Sequence, residues 1–461
     1  MIPFVSASLA ASGAQALAAP AAALSAGDTA WVLMSSALVL LMTVGLAFFY
    51  GGLVRPKNSL NTMMMSVVAL GVVGVQWVVV GYSLGFGPGT PWLGGLGWVF
   101  FRGVGVEPAP AYAATIPQQA HALFQGMFAI ITPALISGAI VERMRFRAYV
   151  AFLVLWSTLV YDPLAHWVWG AGGWLASRGA LDFAGGTVVH ISAGVSALVV
   201  ARLLVPRRDF RRTPLAPHSV PLVLLGAGLL WFGFNAGSAL AANGIASLAF
   251  VNTNAAAAAA LVTWALLDSL RLGKATAVGA ATGAVAGLVA ITPAAGFVGT
   301  PAALAIGVLG AGVAYAAMQV RARTRLDDAL DVFSCHGMAG ITGALLTGVF
   351  ASKAVNPAGA DGLLFGNPAQ LGVQALAVLA AVAIAAVGTV VIYGVLRLVM
   401  PVRADVHEEI EGLDLAEHGE EAYFGGDVGA VAGPALALGH SVIVPASPAH
   451  ARAAGAVPAT P

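Results

Sequence analysis

Charge and cysteine are what this chain has least of. Only 9% of its 461 residues are Asp, Glu, Lys or Arg, where a soluble domain carries roughly 25%. The single cysteine, Cys335, rules out an internal disulfide and any zinc–thiolate cluster. The sequence offers no nucleophile triad, metal-ligand cluster or phosphate loop, which argues against a conventional enzyme and implies neither metal nor cofactor. A net charge of +1 gives no basic footprint for nucleic acid.

What the chain has instead is apolar length. It is 59% hydrophobic, with a mean hydropathy of +0.88. Its apolar runs are too long for the tilted strands of a barrel, so it reads as an all-α integral membrane protein. The 57 glycines suit helices that pack closely in lipid. Eleven spans are expected, near 29–53, 59–84, 116–140, 147–168, 183–204, 219–241, 246–269, 275–293, 299–319, 330–351 and 370–399. Basic residues crowd alternate connections: Arg55 and Lys57, the 143–147 and 202–212 groups, Arg271 and Lys274, the 321–325 group, then Arg397 and Arg403. Only Arg102, Arg178 and Lys353 fall in the others. The basic side is cytoplasmic by the positive-inside rule, which puts the N-terminus outside and the C-terminus inside.

The flanks differ from this core. Residues 1–28 read as a signal peptide or a disordered N-terminus; small-residue sites such as Ala14-Gln-Ala16 favour a leader, and the lack of a preceding Lys or Arg speaks against one. A transmembrane domain over 29–400 leads into a polar segment, 401–424, and a tail at 425–461 whose Ala, Gly and Pro lack periodicity and read as disordered. Outer loops 85–115 and 351–369 show no chemistry; Trp92, Trp98 and Tyr112 are placed at headgroup level.

Within the spans, a few polar and aromatic residues stand out. Asp182-Phe-Ala-Gly185-Gly186-Thr-Val-Val-His190 puts an acid at the mouth of an apolar segment and a histidine well inside it. Ionisable groups at membrane depth mark functional sites by default. The same stretch also fits an N-cap aspartate, packing glycines and a histidine that ties helices together. A second histidine, His336, follows Asp331 in the tenth span. The two histidines lie five spans apart, an odd number, so the halves insert upside down to each other. Two inverted five-helix repeats plus a final helix, with a site between the repeats, are the expected plan.

Phe124 and Phe128 share a helix face, which alone reads as core. Gln118, Gln119, His121 and Gln125 around them shift the reading to a wet vestibule. Trp169 at the outer end of the fourth span is either an interfacial tryptophan or a cation-binding face. Trp231, Phe234 and Ser238 fall at i, i+3 and i+7, one stripe of a continuous helix, where they resemble half of an ammonium cage; Asn235 and Ser238 also fit a purely bridging role.

Five blocks in order, Phe124-Gln-Gly-Met-Phe128, Asp182 to His190, Trp231 to Ser238, Asp331-Val-Phe-Ser-Cys-His336 and Glu411 to Tyr423, resemble the ammonium transporter family, the Amt, Mep and Rh group, and within it the bacterial Amt branch. The resemblance implies a homotrimer in the cell membrane, one pore per subunit, carrying ammonium or methylammonium. It implies that Trp169, Phe128 and Ser238 recruit ammonium, that Phe128 and Phe234 form a gate, and that His190 and His336 are the paired imidazoles of the pore. Asp182 becomes the buried acid supporting the outer site, and Phe124 and Gln125 belong to the vestibule. In bacteria the segment matching 411–423 is where a PII-type signalling protein docks. Cys335 departs from a frequent glycine. The expected activity is deprotonation of ammonium and conduction of ammonia, with or without a relayed proton. The alternatives are a neutral gas or amine channel of the Rh type, and a sensor acting through the tail.

Overall fold

In a bilayer every backbone polar group must be satisfied within the protein, so long apolar runs become helices. The computed structural model describes residues 23–231 and 233–423. Most of the leader region and all of the 425–461 tail lie outside the described residues. The apolar helices among the described residues, in order, are α1 Ala26–Leu53, α2 Pro56–Phe86, α3 Gln118–Ala139, α4 Phe146–Trp169, α5 Gly186–Leu203, α6 Val220–Gly237, α7 Gly244–Leu272, α8 Ala277–Ile291, α9 Thr300–Arg323, α10 Phe333–Phe350 and α11 Pro368–Val399.

Ten of these are long and apolar enough to cross a membrane. The exception, α8, has 15 residues against the roughly 20 a bilayer core needs; the chain continues beyond it in turns to Phe297. The expected continuous stripe on α6 is also corrected. The helix runs over Val220–Leu229, breaks, and resumes over Phe234–Gly237. Gly233 sits in the break at φ 91°, a conformation glycine adopts without steric cost. A Cβ there would lie 2.5 Å from that of Leu38, so the break seats directly on α1.

Helix α1 packs on α2, α3 and α6, while α7 holds α8 and α9. Helices α5 and α10 meet at the centre, and small residues set how closely. A Cβ on Gly194 would lie 2.2 Å from the backbone nitrogen of Gly337. One on Gly340 would lie 3.1 Å from the Cβ of His190. Each glycine comes four residues after its own half's histidine and abuts the turn that carries the other.

The outer loop includes a short hairpin, β1 Pro108–Ala109 with β2 Ala113–Pro117. It overturns the wet vestibule expected around Gln118 and His121. The His121 ring is buried, stacked on Tyr112 with centroids 5.0 Å apart and hydrogen-bonded to the Tyr82 hydroxyl at 3.1 Å. Gln118 is buried with it. Trp98 stacks on Tyr82 at 5.4 Å. Gln118 and His121 are roofed by the aromatic loop, while Gln119 stays exposed.

At the basic end, residues 401–422 dock on the same compact unit. Helices α12 Val406–Glu411 and α13 Leu413–His418 follow Arg403. The Asp414 carboxylate accepts from the Leu60 and Asn61 backbone N–H groups at 3.0 and 2.7 Å, capping the start of α2. Arg145 pairs with Glu408 at 2.7 Å.

Candidate functional site

The site begins with two carboxylates that start helices. Asp182 accepts four backbone N–H groups, from Gly185, Gly186, Thr187 and Val188, at 2.7–3.0 Å. These are the donors a helix start leaves unpaired. Gly185 turns the chain at φ 110°, and Gly186 leaves room for Pro293, whose ring a Cβ would meet at 2.5 Å. Helix α5 then opens with a π turn, Gly186–Ile191, that carries His190. Helix α10 repeats the plan. Asp328 accepts from Val332 and Phe333 at 3.0 and 2.8 Å, and the π turn Phe333–Met338 carries His336. In both halves the acid precedes the histidine by eight residues. Asp328 was missed in the sequence; this shared spacing is the signal that would have found it.

The two turns bring their histidines together. The rings of His190 and His336 lie 5.4 Å apart, nearly parallel, with their Nδ1 atoms at 3.3 Å. Two imidazole nitrogens can share that contact only if one carries the hydrogen and the other accepts it. A cavity of about 50 Å³ lies along them, walled by Met42, Ile131, Val285 and Leu288. It has room for a few water-sized molecules, since one needs about 10–15 Å³ by the same measure.

Above the pair stands a column of rings. Phe234 is 5.9 Å from His190 and stacks on Phe128 at 4.1 Å. Phe128 meets Trp169 edge-on at 6.1 Å and Phe124 at 4.9 Å. The Trp169 indole donates to the Asp182 carbonyl at 2.8 Å, so the acid that starts α5 also anchors the outermost ring. Trp169 is half-buried. Ser238 is half-buried and donates to the Phe234 carbonyl at 3.0 Å. Phe124 is fully buried behind Phe128, and Gln125 is half-buried beside it. Asn235, by contrast, bridges helices: it donates to Thr253 at 2.9 Å and accepts from Thr292 at 3.3 Å.

The basic end holds charges that polarity alone did not single out. Arg207 bonds Asp327 at 2.8 Å and Glu142 at 3.2 Å. Arg143, fully buried, reaches Asp327 at 3.3 Å, and Arg55 pairs with Glu142 and Asp209. Burial pushes the Glu142 and Asp327 carboxyls up, but the surrounding guanidinium groups outweigh it and hold both below the ordinary carboxylate range. Asp331 pairs with Arg321 at 2.7 Å. Cys335 is buried and packs as a small hydrophobe.

Known proteins resemble this arrangement over most of its length. Residues 30–423 match the model of the Ammonium Transporter Family. An ammonium transporter of Bacillus subtilis is 48% identical over 86% of this chain and 98% of its own length. One of Aquifex aeolicus is 49% identical over 87% and 94%. The crystal structure of Saccharomyces cerevisiae Mep2 superposes with a TM-score of 0.77 at 39% identity, covering 82% of this chain and 89% of that one. A chain described as a sensor Amt protein gives 0.78 at 29% identity, over 85% and 98%. The protein therefore belongs to the ammonium transporter family, as a multi-pass plasma-membrane transporter of ammonium and not an enzyme.

Proposed function

We propose that ammonium is recruited at Trp169, Phe128 and Ser238, passes the Phe128–Phe234 pair, gives up a proton, and crosses as ammonia along His190 and His336. The observation that carries this reading is the narrow, mostly apolar cavity beneath two stacked phenyl rings, with two ring nitrogens 3.3 Å apart along it.

Aromatic faces attract any small cation, for about 0.5–2 kcal/mol each. Potassium matches ammonium in charge and nearly in size, so recruitment alone does not discriminate. The cavity does. A desolvated charge there has no partner of opposite sign, and burying an unpaired ion is costly. Ammonium escapes that cost by losing a proton; potassium has none to lose. A neutral imidazole pair then offers ammonia both a donor and an acceptor without adding charge. Asp182 touches no substrate on this route. It fixes the start of α5 and, through its carbonyl, the Trp169 ring.

Eleven crossings with the N-terminus outside, two inverted repeats and a homotrimer with a pore in each subunit complete the reading. The docked segment 401–422 gives a second, regulatory reading its footing: a PII-type protein that lifted Asp414 from α2 would reach the basic end of the pore. The test of transport is uptake of labelled methylammonium into proteoliposomes. Excess ammonium should compete with it, and excess potassium should not. Equal competition by potassium would refute the selectivity argument.

A further inference from the structure

We propose that Gln374, on α11, is a positioning residue for the ring of Trp169, acting through the turn that carries Asp182. Its amide closes two hydrogen bonds on one residue. Oε1 accepts from the Leu181 backbone N–H at 2.7 Å, and Nε2 donates to the Leu181 carbonyl at 2.7 Å. Nε2 also donates to the Ala344 carbonyl of α10 at 3.1 Å. One turn earlier on α11, Gln370 donates to the Gly179 carbonyl at 2.9 Å. Both glutamines are buried, Gln374 completely.

The backbone explains why an amide stands there. Residues 180–182 belong to neither helix nor strand, so the buried N–H and C=O of Leu181 have no ladder to pair with. A side-chain amide carries donor and acceptor together and meets Leu181 as a neighbouring strand would. Burying that amide in an apolar span is costly unless its bonds are made. Here both of its polar atoms are spent on this one stretch and on α10.

Position gives the clamp its consequence. Asp182 follows Leu181 directly; its carbonyl holds the Trp169 indole at 2.8 Å, and its carboxylate caps α5. Ala344 comes four residues after Gly340, whose added Cβ would lie 3.1 Å from that of His190. The opening of α5 is therefore set against α10 at two points, at Leu181 through Gln374 and at His190 through Gly340. The opposite half is built alike. Asp327 precedes the capping Asp328, and its carbonyl is held by Arg143 and its carboxylate by Arg207. Guanidinium groups do at the basic end what one neutral amide does at the other. The placement stands on these bonds alone; its effect on transport rests on the reading of Trp169 as the recruiting ring.

The test uses the whole protein and Gln374→Met, which keeps an unbranched side chain of similar length and loses every hydrogen bond of the amide. The protein is labelled with fluorotryptophan, and the Trp169 fluorine resonance is assigned by its loss in Trp169→Leu. In Gln374→Met that resonance should shift or broaden. In proteoliposomes the half-saturating methylammonium concentration should rise about fivefold, with the maximal rate kept within about twofold. Tyr393→Phe removes a hydrogen bond from the other end of α11 and should change neither readout, which separates positioning from a general loosening of the helix. In Trp169→Leu/Gln374→Met, half-saturation should match that of Trp169→Leu alone. If Gln374→Met fails to fold, Gln374→Asn, which keeps the amide and draws it back from Leu181, is read in the same way. Two results would overturn the proposal: a Trp169 resonance unmoved by substitution at Gln374, or effects on half-saturation that multiply in the double variant. A moved resonance with native half-saturation would leave the placement standing and reject Trp169 as the recruiting ring.

Discussion

The two halves around the histidine pair share a scaffold and differ at their ends. Around His190 and around His336 the same parts recur: an acid eight residues ahead that caps a helix, a π turn that carries the ring, and a glycine four residues on that abuts the opposite half. Outside, that scaffold is topped by rings, with Trp169, Phe128 and Phe234 in contact. Inside, it is bottomed by ion pairs, with Arg207, Asp327, Glu142 and Arg143 buried together. On the route proposed above, the difference follows the task of each end. A mouth that gathers a cation needs faces that attract positive charge while staying neutral. A mouth that releases a neutral molecule needs no attraction, so its charges are spent on one another and hold the helices in place.

The sharpest way to break the comparison is at the caps. Asp182→Ala strands four buried N–H groups at the turn whose backbone carbonyl holds Trp169, while Asp328→Ala strands two. Each buried donor left unpaired costs about 1–3 kcal/mol. Methylammonium uptake should vanish in Asp182→Ala and fall only in part in Asp328→Ala. Full uptake by the first variant would contradict the role given to this acid.

Next comes the inner network. Arg207→Ala leaves Asp327 and Glu142 short of a buried partner, at a cost of about 3–5 kcal/mol, read as a lower unfolding temperature in detergent. The pH dependence has a fixed sign. Because Glu142 and Asp327 are held below the ordinary carboxylate range in the folded protein, their contribution is complete above that range. It is lost as pH falls through their lowered values. Glu142→Gln should flatten the acid limb of a stability–pH curve; an unchanged limb would remove this group from the network's balance.

The central glycines give a smaller, directional difference. Gly194→Ala drives a methyl into the Gly337 backbone, whereas Gly340→Ala meets the His190 Cβ at 3.1 Å. Uptake should drop more in the first than in the second, and the reverse order would mean the crossing is set elsewhere. Smallest is Trp169→Leu. Loss of one cation–π face, about 0.5–2 kcal/mol, should raise the half-saturating ammonium concentration about 2- to 30-fold with little change in maximal rate.

Much of this was legible in the sequence because lipid makes polarity informative. His190, His336 and Asp182 stood out as polar groups in apolar runs, and the order of the spans placed the two histidines in opposite halves. Three things were not legible. Nothing in the spacing of Trp231, Phe234 and Ser238 shows that Gly233 breaks the helix; that depends on α1 lying 2.5 Å from its missing Cβ. His121 looked solvent-facing because its polarity does not show that the loop just before its helix folds back over the ring through Tyr112. Arg143 counted only as one basic residue of a connection, and only the packed structure shows it fully buried and paired with Asp327.

The most direct measurement is current on a solid-supported membrane, with pulses of ammonium and of potassium applied to the native protein and to His190→Ala/His336→Ala. The native protein should give no potassium response, and the double variant should either pass potassium or stop transporting altogether. A double variant that moved ammonium at the native rate and still refused potassium would show that selection occurs without the imidazole pair.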